Sequence, residues 1–565
     1  MPSVYEQKPW LKFYPAGVAP EVDIPDKSIN DLFDEVVEKY KKRVALIFYG
    51  TKITYQELGD KVLRMATALA SLGVKKGDRV ALLLLNAPEH VIAFYAVQRL
   101  GAVVTAISPV YVSSEMRHQL DDSQATSLIC QDFLYPTVEK SGYQFANVIL
   151  ASITDSLPKL KKMMGTTILR GVYQKMAAPP ADIYNQEHFY GFHELLQNHP
   201  PQPPRVELNV AEDIVTLPYT GGTTGPPKGV MITHRNAVSN LYQFKNYLNM
   251  IEEGSEVWMA YMPFYHAAGQ VVALIFGVLM GFTLVVITTP DVEEILSAMG
   301  KYKATTFFGA PTIYEVLKDE KKTDRVNWRK LKLVLSGADA LHEYTAKDWK
   351  VRTGTDIFEG YGQTECVALT HETAAGHVKI GSVGLPICNT QSAILDPEED
   401  QYMPVGEIGE IVVSGPQICK GYWRNEAATN ECIAEIGGIR WWRTGDLGRM
   451  DENGFFYVYD RKRDLIKYKG LRVYAREVEE VLRTHPKIKE VGVIGVPDRK
   501  VGEQVKALVV LESDSRGNLS EADIMSYCED KLAYYKIPRI IEFVGEVPRT
   551  DVGKVSRREL REEES

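Results

Sequence analysis

No two of the six cysteines form a C-x-x-C pair; they stand singly at positions 130, 366, 388, 419, 432 and 528. That scatter gives neither a zinc ribbon nor a disulfide framework, and a reducing compartment, the cytoplasm, is expected. Basic excess is missing too. The 65 Lys and Arg stand against 74 Asp and Glu, a formal charge of -9, so nucleic acid is not expected as a partner, because that binding calls for a basic face. The first residues, Met-Pro-Ser-Val-Tyr-Glu-Gln-Lys, lack the basic-then-apolar pattern of a secretory signal. No internal repeat or long low-complexity tract interrupts the chain. One apolar run, the 17 residues from Val271 to Ile287, approaches membrane-spanning length. Its β-branched second half and lack of basic flanks favour a buried helix ending near Gly281, then a buried strand, Phe282 to Ile287.

What is present is ordinary globular material, 45% hydrophobic and 25% charged, enough to bury a large core. Apolar spacing predicts helices over Leu32 to Tyr40, Leu58 to Leu72 (closed by Gly73) and Glu89 to Leu100 (closed near Gly101). Asp78 to Leu85 and Ala102 to Ile107 read as buried strands. Strand, helix, strand at this spacing predicts parallel α/β sheets, and the pattern recurs between Glu293 and Leu335. From 391 to 459 the runs shorten and Gly, Pro, Asp and Asn separate them, which suggests antiparallel strands in a small β-barrel. Charged Asp460 to Asp464 reads as a linker. Beyond it, helix, strand, strand, helix, strand predicts a compact α+β domain over 465–565. The expected organisation is an N-terminal body over 1–459, a hinge at 460–464 and a C-terminal domain.

The densest chemical signal is Tyr219-Thr-Gly-Gly-Thr-Thr-Gly-Pro-Pro-Lys-Gly229. Gly221, Gly222 and Gly225 let backbone N–H groups approach an anion, Thr220, Thr223 and Thr224 add hydroxyl donors, and Lys228 adds a charge. This composition suits a polyphosphate. The Walker loop, G-x-x-x-x-G-K-[ST] opening into a helix, is absent; Gly-Val-Met-Ile-Thr follows the lysine, so the loop is expected to join two strands. A second region, Lys159 to Lys175, carries Lys159, Lys161, Lys162, Arg170 and Lys175 with no acidic residue among apolar neighbours. It reads either as a solvated surface helix or as a patch for an anionic lipid surface.

Four further segments accompany the loop: Ser336-Gly-Ala-Asp-Ala-Leu341, Glu359-Gly-Tyr-Gly-Gln-Thr-Glu365, Arg443-Thr-Gly-Asp-Leu447 leading to Asp460-Arg-Lys-Arg-Asp-Leu-Ile-Lys-Tyr-Lys-Gly470, and Pro548-Arg-Thr-Asp-Val-Gly-Lys-Val-Ser-Arg557. In this order they closely resemble the adenylate-forming superfamily of acyl-CoA synthetases, luciferases and peptide-synthetase adenylation domains, over essentially the whole chain. The resemblance implies that a carboxylate attacks the α-phosphate of ATP, giving acyl-adenylate and pyrophosphate, after which a thiol displaces AMP. It implies that Glu365 holds Mg²⁺ with Thr220 nearby, and that Gly337, Ala338, Glu359, Gly360 and Tyr361 line an adenine pocket. Gly362 belongs to the same nucleotide-binding stretch, Thr364 meets the α-phosphate, and Asp446 accepts from the ribose hydroxyls. Lys554 matches the catalytic lysine. The C-terminal domain of such enzymes is mobile and pivots at the position of Arg463; Arg461 and Arg463 touch nucleotide, while Lys467 and Gly470 serve the CoA-dependent step. Many relatives have proline where this chain has Ala475, a change that a domain-entry loop tolerates.

The acid is less constrained. Tyr261-Met-Pro-Phe-Tyr-His-Ala-Ala-Gly269 resembles the segment beside the acyl site, where His266 is a gate or an ordinary buried histidine. Trp10-Leu-Lys-Phe-Tyr-Pro15, the basic stretch and the linker resemble long-chain fatty acyl-CoA synthetases, so a long-chain fatty acid is the expected substrate, with medium-chain or aryl acids as the alternative. Free coenzyme A is expected over a carrier protein because no carrier domain follows residue 565. A homodimer and peripheral contact with the inner face of a membrane through 159–176 complete the expectations. A non-catalytic nucleotide-binding relative and a phosphotransferase stand as competing classes; products separate them, AMP with pyrophosphate against ADP.

Overall fold

The computed structural model describes residues 3–158, 183, 187–220, 227–288, 291–512, 519–549 and 555–562. The basic stretch 159–176, Gly221, Gly222, Thr223, Thr224, Gly225 and Lys554 lie outside the described residues.

Two parallel-rich sheets form the large body. In the first, Val103–Ala106, Arg79–Leu83, Ser127–Gln131, Asn147–Ala151 and Phe189–Gly191 run parallel. Ile214–Thr216 joins them in parallel, and Ile232–Thr233 closes that edge antiparallel. The second has nine strands. Its parallel centre runs Phe358–Tyr361, Leu333–Ser336, Thr306–Gly309, Val257–Ala260, Thr283–Val286 and Val44–Phe48, with antiparallel pairs at both ends. These strands are buried along most of their length, which is why they read as unbroken apolar runs rather than alternating ones.

Helix boundaries follow their caps. Ser28 with Asp31 closes a capping box on Ile29–Tyr40, and Thr54 with Glu57 does the same for Tyr55–Ser71. The helix Pro88–Arg99 is buried on nearly every side, and its Tyr95 hydroxyl donates to the Leu274 carbonyl. The long apolar run is helix then strand, as expected, and its helical part Gln270–Gly277 is a π-helix. A segment buried all round gives no periodicity with which to tell that from an α-helix. Among the described residues no helix is long and apolar enough to cross a membrane.

Residues 391–461 form an antiparallel sheet of Gln391–Leu395, Gly409–Ser414, Ile433–Ile436, Ile439–Met450 and Phe456–Arg461. Its hydrogen-bonded order runs open instead of returning on itself as a barrel does. The last strand carries straight into Lys462–Asp464, a 3₁₀ turn, so the charged linker is ordered. One hydrophobic core ends at Phe456; two separate cores begin at Ile466 and Ile494. The separate C-terminal domain holds an Ile466–Tyr468/Leu471–Val473 hairpin, the long strands Ile488–Asp498 and Gly502–Leu511, the parallel strand Ile540–Phe543 and helices Ala475–Arg483, Glu521–Glu529 and Arg557–Glu562.

A buried ion network spans the linker. Arg557 donates to Asp460 at 3.2 Å and to both oxygens of Glu479 at 2.9 Å, and Arg561 meets Asp464 at 2.9 Å. Asp460 also accepts from the Arg476 backbone at 3.3 Å.

Candidate nucleotide and acyl site

Open α/β sheets place ligands beyond the carboxyl ends of their strands. Both sheets turn those ends toward one cavity of about 980 Å³, with Ala106 and Ser108 from the first and Phe308, Ser336, Gly337, Ala338 and Gly360 from the second. Its polar lining includes Thr220, Lys228, Glu365, Arg461 and Arg463; its apolar lining includes Phe244, Ala267, Val272, Phe276 and Leu369.

The glycine-rich loop springs from a two-residue ladder, Tyr219–Thr220 against Lys228–Gly229, so it joins two strands as its sequence implied. A Cβ at Gly229 would lie 3.1 Å from the Tyr219 ring, a tight contact that a substitution could keep only if the ring gave way. Thr220 Oγ1 donates to the Lys228 carbonyl at 3.5 Å, and Lys228 Nζ sits 4.4 Å from the centroid of the Tyr422 ring.

Glu365 lies in the 3₁₀ turn Thr364–Cys366, buried, with Oε1 accepting from Tyr422 Oη at 2.7 Å. The next residue but one, Val367, has φ 65 and ψ -67, and the Ala368 N–H reaches back to the Cys366 carbonyl at 2.8 Å. This is the rare γ-turn, strained for a β-branched side chain and of a kind that gathers at functional sites. It folds Ala368 and Leu369 back along the cavity wall just after the carboxylate.

Asp446 is buried, accepting from Tyr361 Oη at 2.7 Å and pairing with Arg461 Nε at 2.8 Å. Gln363 Nε2 and Arg461 both donate to the Thr444 carbonyl, knitting the two motifs together. Thr364, Gly362 and Arg463 line the cavity. His266 lines it too, capping Ala267–Gly269 by accepting from the Ala268 N–H at 3.3 Å.

Tyr361 and Asp446, bonded to each other, are not among the residues lining the cavity, and three further expected residues stand elsewhere. Strand alternation turns the Glu359 side chain away from the wall that Gly360 forms, and its carboxylate accepts from the Leu341 N–H at 2.7 Å. Lys467 is exposed, with Nζ 3.7 Å from Glu398, and Gly470 takes φ 81 at the tip of a hairpin, a left-handed position that itself calls for glycine. Tyr422 and Gln363 were missed: the Gly421-Tyr422-Trp423 triplet carries no charge pattern to flag it.

Burial pushes the Glu359 carboxyl up to about 7. The folded chain therefore holds a proton that the unfolded chain releases near 4.5. This stabilisation is present at low pH and is lost as pH rises from 4.5 through 7, roughly 3 kcal/mol in all. Glu359→Gln keeps the acceptor for Leu341 without the titration. It is expected to be more stable than the parent at pH 8 and no more stable at pH 4.5, as urea unfolding at the two pH values reads.

One cavity lined by charged and apolar side chains, at the carboxyl ends of two parallel-rich α/β sheets in a chain with a separate C-terminal domain, suits an enzyme that holds a charged and an apolar group together. The sequence matches the AMP-binding enzyme family over residues 33–423 and the AMP-binding enzyme C-terminal domain over 477–554. It is 36% identical over 563 residues to a long-chain-fatty-acid–CoA ligase of Bacillus subtilis (strain 168), covering 99% of this chain and 98% of that one. Its fold is similar to ATP-bound MatB from Rhodopseudomonas palustris (TM-score 0.81, 27% identity, 95% of this chain and 99% of that chain). It is also similar to the anthranilate CoA ligase AuaEII in complex with anthranoyl-AMP (TM-score 0.80, 26% identity, 96% and 98%). The chain belongs to the AMP-binding enzyme family.

Proposed function

We propose that the chain joins a fatty acid, long-chain in preference, to the AMP portion of ATP with release of pyrophosphate, and then passes the acyl group to coenzyme A. The observation that supports this reading is one cavity lined both by the charged groups Lys228, Glu365, Arg461 and Arg463 and by apolar side chains, since such a lining can take a nucleotide and an acid together. The preference for a long chain rests on the likeness to long-chain-fatty-acid–CoA ligases along nearly the full length.

In this mechanism Thr220 and Lys228, with the loop between them, bind the β- and γ-phosphates. Gly337, Ala338, Gly360 and Tyr361 bound the adenine, and Glu359 acts only from behind that wall. Asp446 orients the ribose, its free lone pairs accepting the hydroxyls while Tyr361 and Arg461 hold the carboxylate still. Thr364 donates to the α-phosphate, and Arg461 and Arg463 offset its charge. Lys554 neutralises charge on the attacking and leaving oxygens. His266 borders the acyl channel.

Among the described residues no group of three His, Cys, Asp or Glu could hold a metal. A lone carboxylate beside a hydroxyl fits magnesium, which keeps water and substrate oxygens in its shell. Glu365 and Thr220 are the residues that would hold it. A magnesium ion held there would supply positive charge to offset that of the phosphates.

Lys467 and Gly470 meet coenzyme A after the C-terminal domain turns about Arg463. Lys467→Ala is accordingly expected to slow thioester formation from supplied acyl-AMP more than adenylate formation. Contact with the cytoplasmic face of a membrane through 159–176 belongs to the same reading, supported by a substrate that partitions into lipid; liposome sedimentation of a chain lacking 159–176 tests it. The homodimer rests on family resemblance, and sedimentation velocity reads it.

Pyrophosphate release over a panel of straight-chain and aryl acids decides the substrate. Release rising toward long chains is expected; a maximum with aryl or medium-chain acids would replace the fatty acid, and ADP as product would end the adenylation reading.

A further inference from the structure

Two groups of opposite charge, Lys228 and Glu365, face one polyphosphate site, and opposite charges in a partly dry cavity tend to pair with each other. Among the described residues no ion pair joins them; each is engaged by Tyr422 instead. The hydroxyl of Tyr422 donates to Glu365 Oε1 at 2.7 Å, and Lys228 Nζ rests 4.4 Å from the centre of its ring.

The backbone holds this tyrosine in place from both sides. Met231 N–H donates to the Gly421 carbonyl at 2.9 Å and Trp423 N–H to the Gly229 carbonyl at 2.7 Å, so the segment runs antiparallel beside the strand that leaves the loop. Cys419 N–H donates to the Glu365 carbonyl at 2.7 Å, which ties the same segment to the carboxylate's own turn. Tyr422 N–H donates to Thr429 Oγ1 at 2.9 Å. The residue is 6% exposed and lines the cavity. Packing beside Trp442 asks only for a ring; a hydroxyl aimed at a carboxylate asks for tyrosine.

We propose that Tyr422 is a positioning residue that holds Glu365 through its hydroxyl and Lys228 through its ring face, keeping carboxylate and ammonium apart and each aimed at the nucleotide's phosphates and their cation. The hydroxyl fixes one carboxylate oxygen and leaves the other for the metal, as outer partners of metal ligands do. The ring attracts the ammonium without cancelling its charge.

The inference rests on the proposed adenylating function and is tested by equilibrium binding on the full chain. ATP is titrated calorimetrically with magnesium and again with EDTA. Tyr422→Phe is expected to weaken ATP binding about tenfold with magnesium and less than about twofold without it, the span of one charge-assisted hydrogen bond. Tyr422→Leu is expected to weaken both, because Lys228 loses its seat. Adding Tyr422→Phe to Glu365→Gln is expected to cost nothing further, since the hydroxyl acts through that carboxylate. A purely structural tyrosine would lower the melting temperature and weaken binding equally with and without magnesium, and that outcome overturns the proposal. So does unchanged binding in Tyr422→Phe. If the parent chain binds no ATP in either titration, the functional reading itself fails.

Discussion

Lys554→Ala is expected to lower acyl-adenylate formation about 10³-fold, the scale on which one mobile cation acts in phosphoryl chemistry. Thioester formation from supplied acyl-AMP and coenzyme A is expected to stay within a few-fold of the parent. The asymmetry follows from where charge develops. In the first step a carboxylate anion must approach an already anionic α-phosphate while pyrophosphate leaves with more charge still. A point charge reaching both oxygens lowers that barrier. In the second step a thiol attacks an uncharged acyl carbon and AMP departs, so no polyphosphate needs neutralising. Pyrophosphate release and acyl-CoA formation, measured separately, read the two rates. Equal loss in both would remove Lys554 from the role given it.

Arg557→Met is expected to destabilise the C-terminal domain by about 3–5 kcal/mol, the usual cost of removing one partner from a buried ion pair. Asp460, Glu479 and Asp464 are nearly buried, and Arg557 is the cation that reaches all three. Arg561 retains Asp464 but offers Asp460 nothing at that range. Burial already holds the Asp460 carboxyl above its ordinary range with Arg557 beside it. Without the guanidinium the Asp460 carboxyl rises further and takes up a proton in the folded state. Its contribution then falls as pH rises through the new value, so the deficit grows from pH 5 to pH 8. Calorimetry at the two pH values checks both size and sign. Because Arg557 lies three residues after Lys554, both half-reactions should suffer together, unlike Lys554→Ala. A melting profile within about 1 kcal/mol of the parent at pH 8 would contradict the account.

Local chemistry made much of this legible. The β-branched runs on either side of the loop, the capping boxes at Ser28 and Thr54, and the unbroken apolar runs of the buried strands each state their structure within a few residues. The small-domain elements between Ala475 and Phe543 follow for the same reason. What stayed hidden depends on distance or register. Tyr422 meets Glu365 across 57 residues of sequence, and nothing in Gly-Tyr-Trp announces a carboxylate partner. Glu359 sits inside a recognised motif, yet which way it points is set by the pleat of Phe358–Tyr361. The role proposed for Lys467 needs a different arrangement of the two domains, because here its side chain is exposed beside Glu398.

The wide turn at Gln270–Gly277 differs from a regular helix by the room of one residue, and Val272 and Phe276 on it line the cavity. Excising a single residue there would rewind the segment and swing both side chains around its axis. Acid length preference would then change abruptly, through backbone register instead of side-chain size. A family could shift its substrate range by such one-codon deletions, and the acid panel applied to a one-residue excision would display the jump.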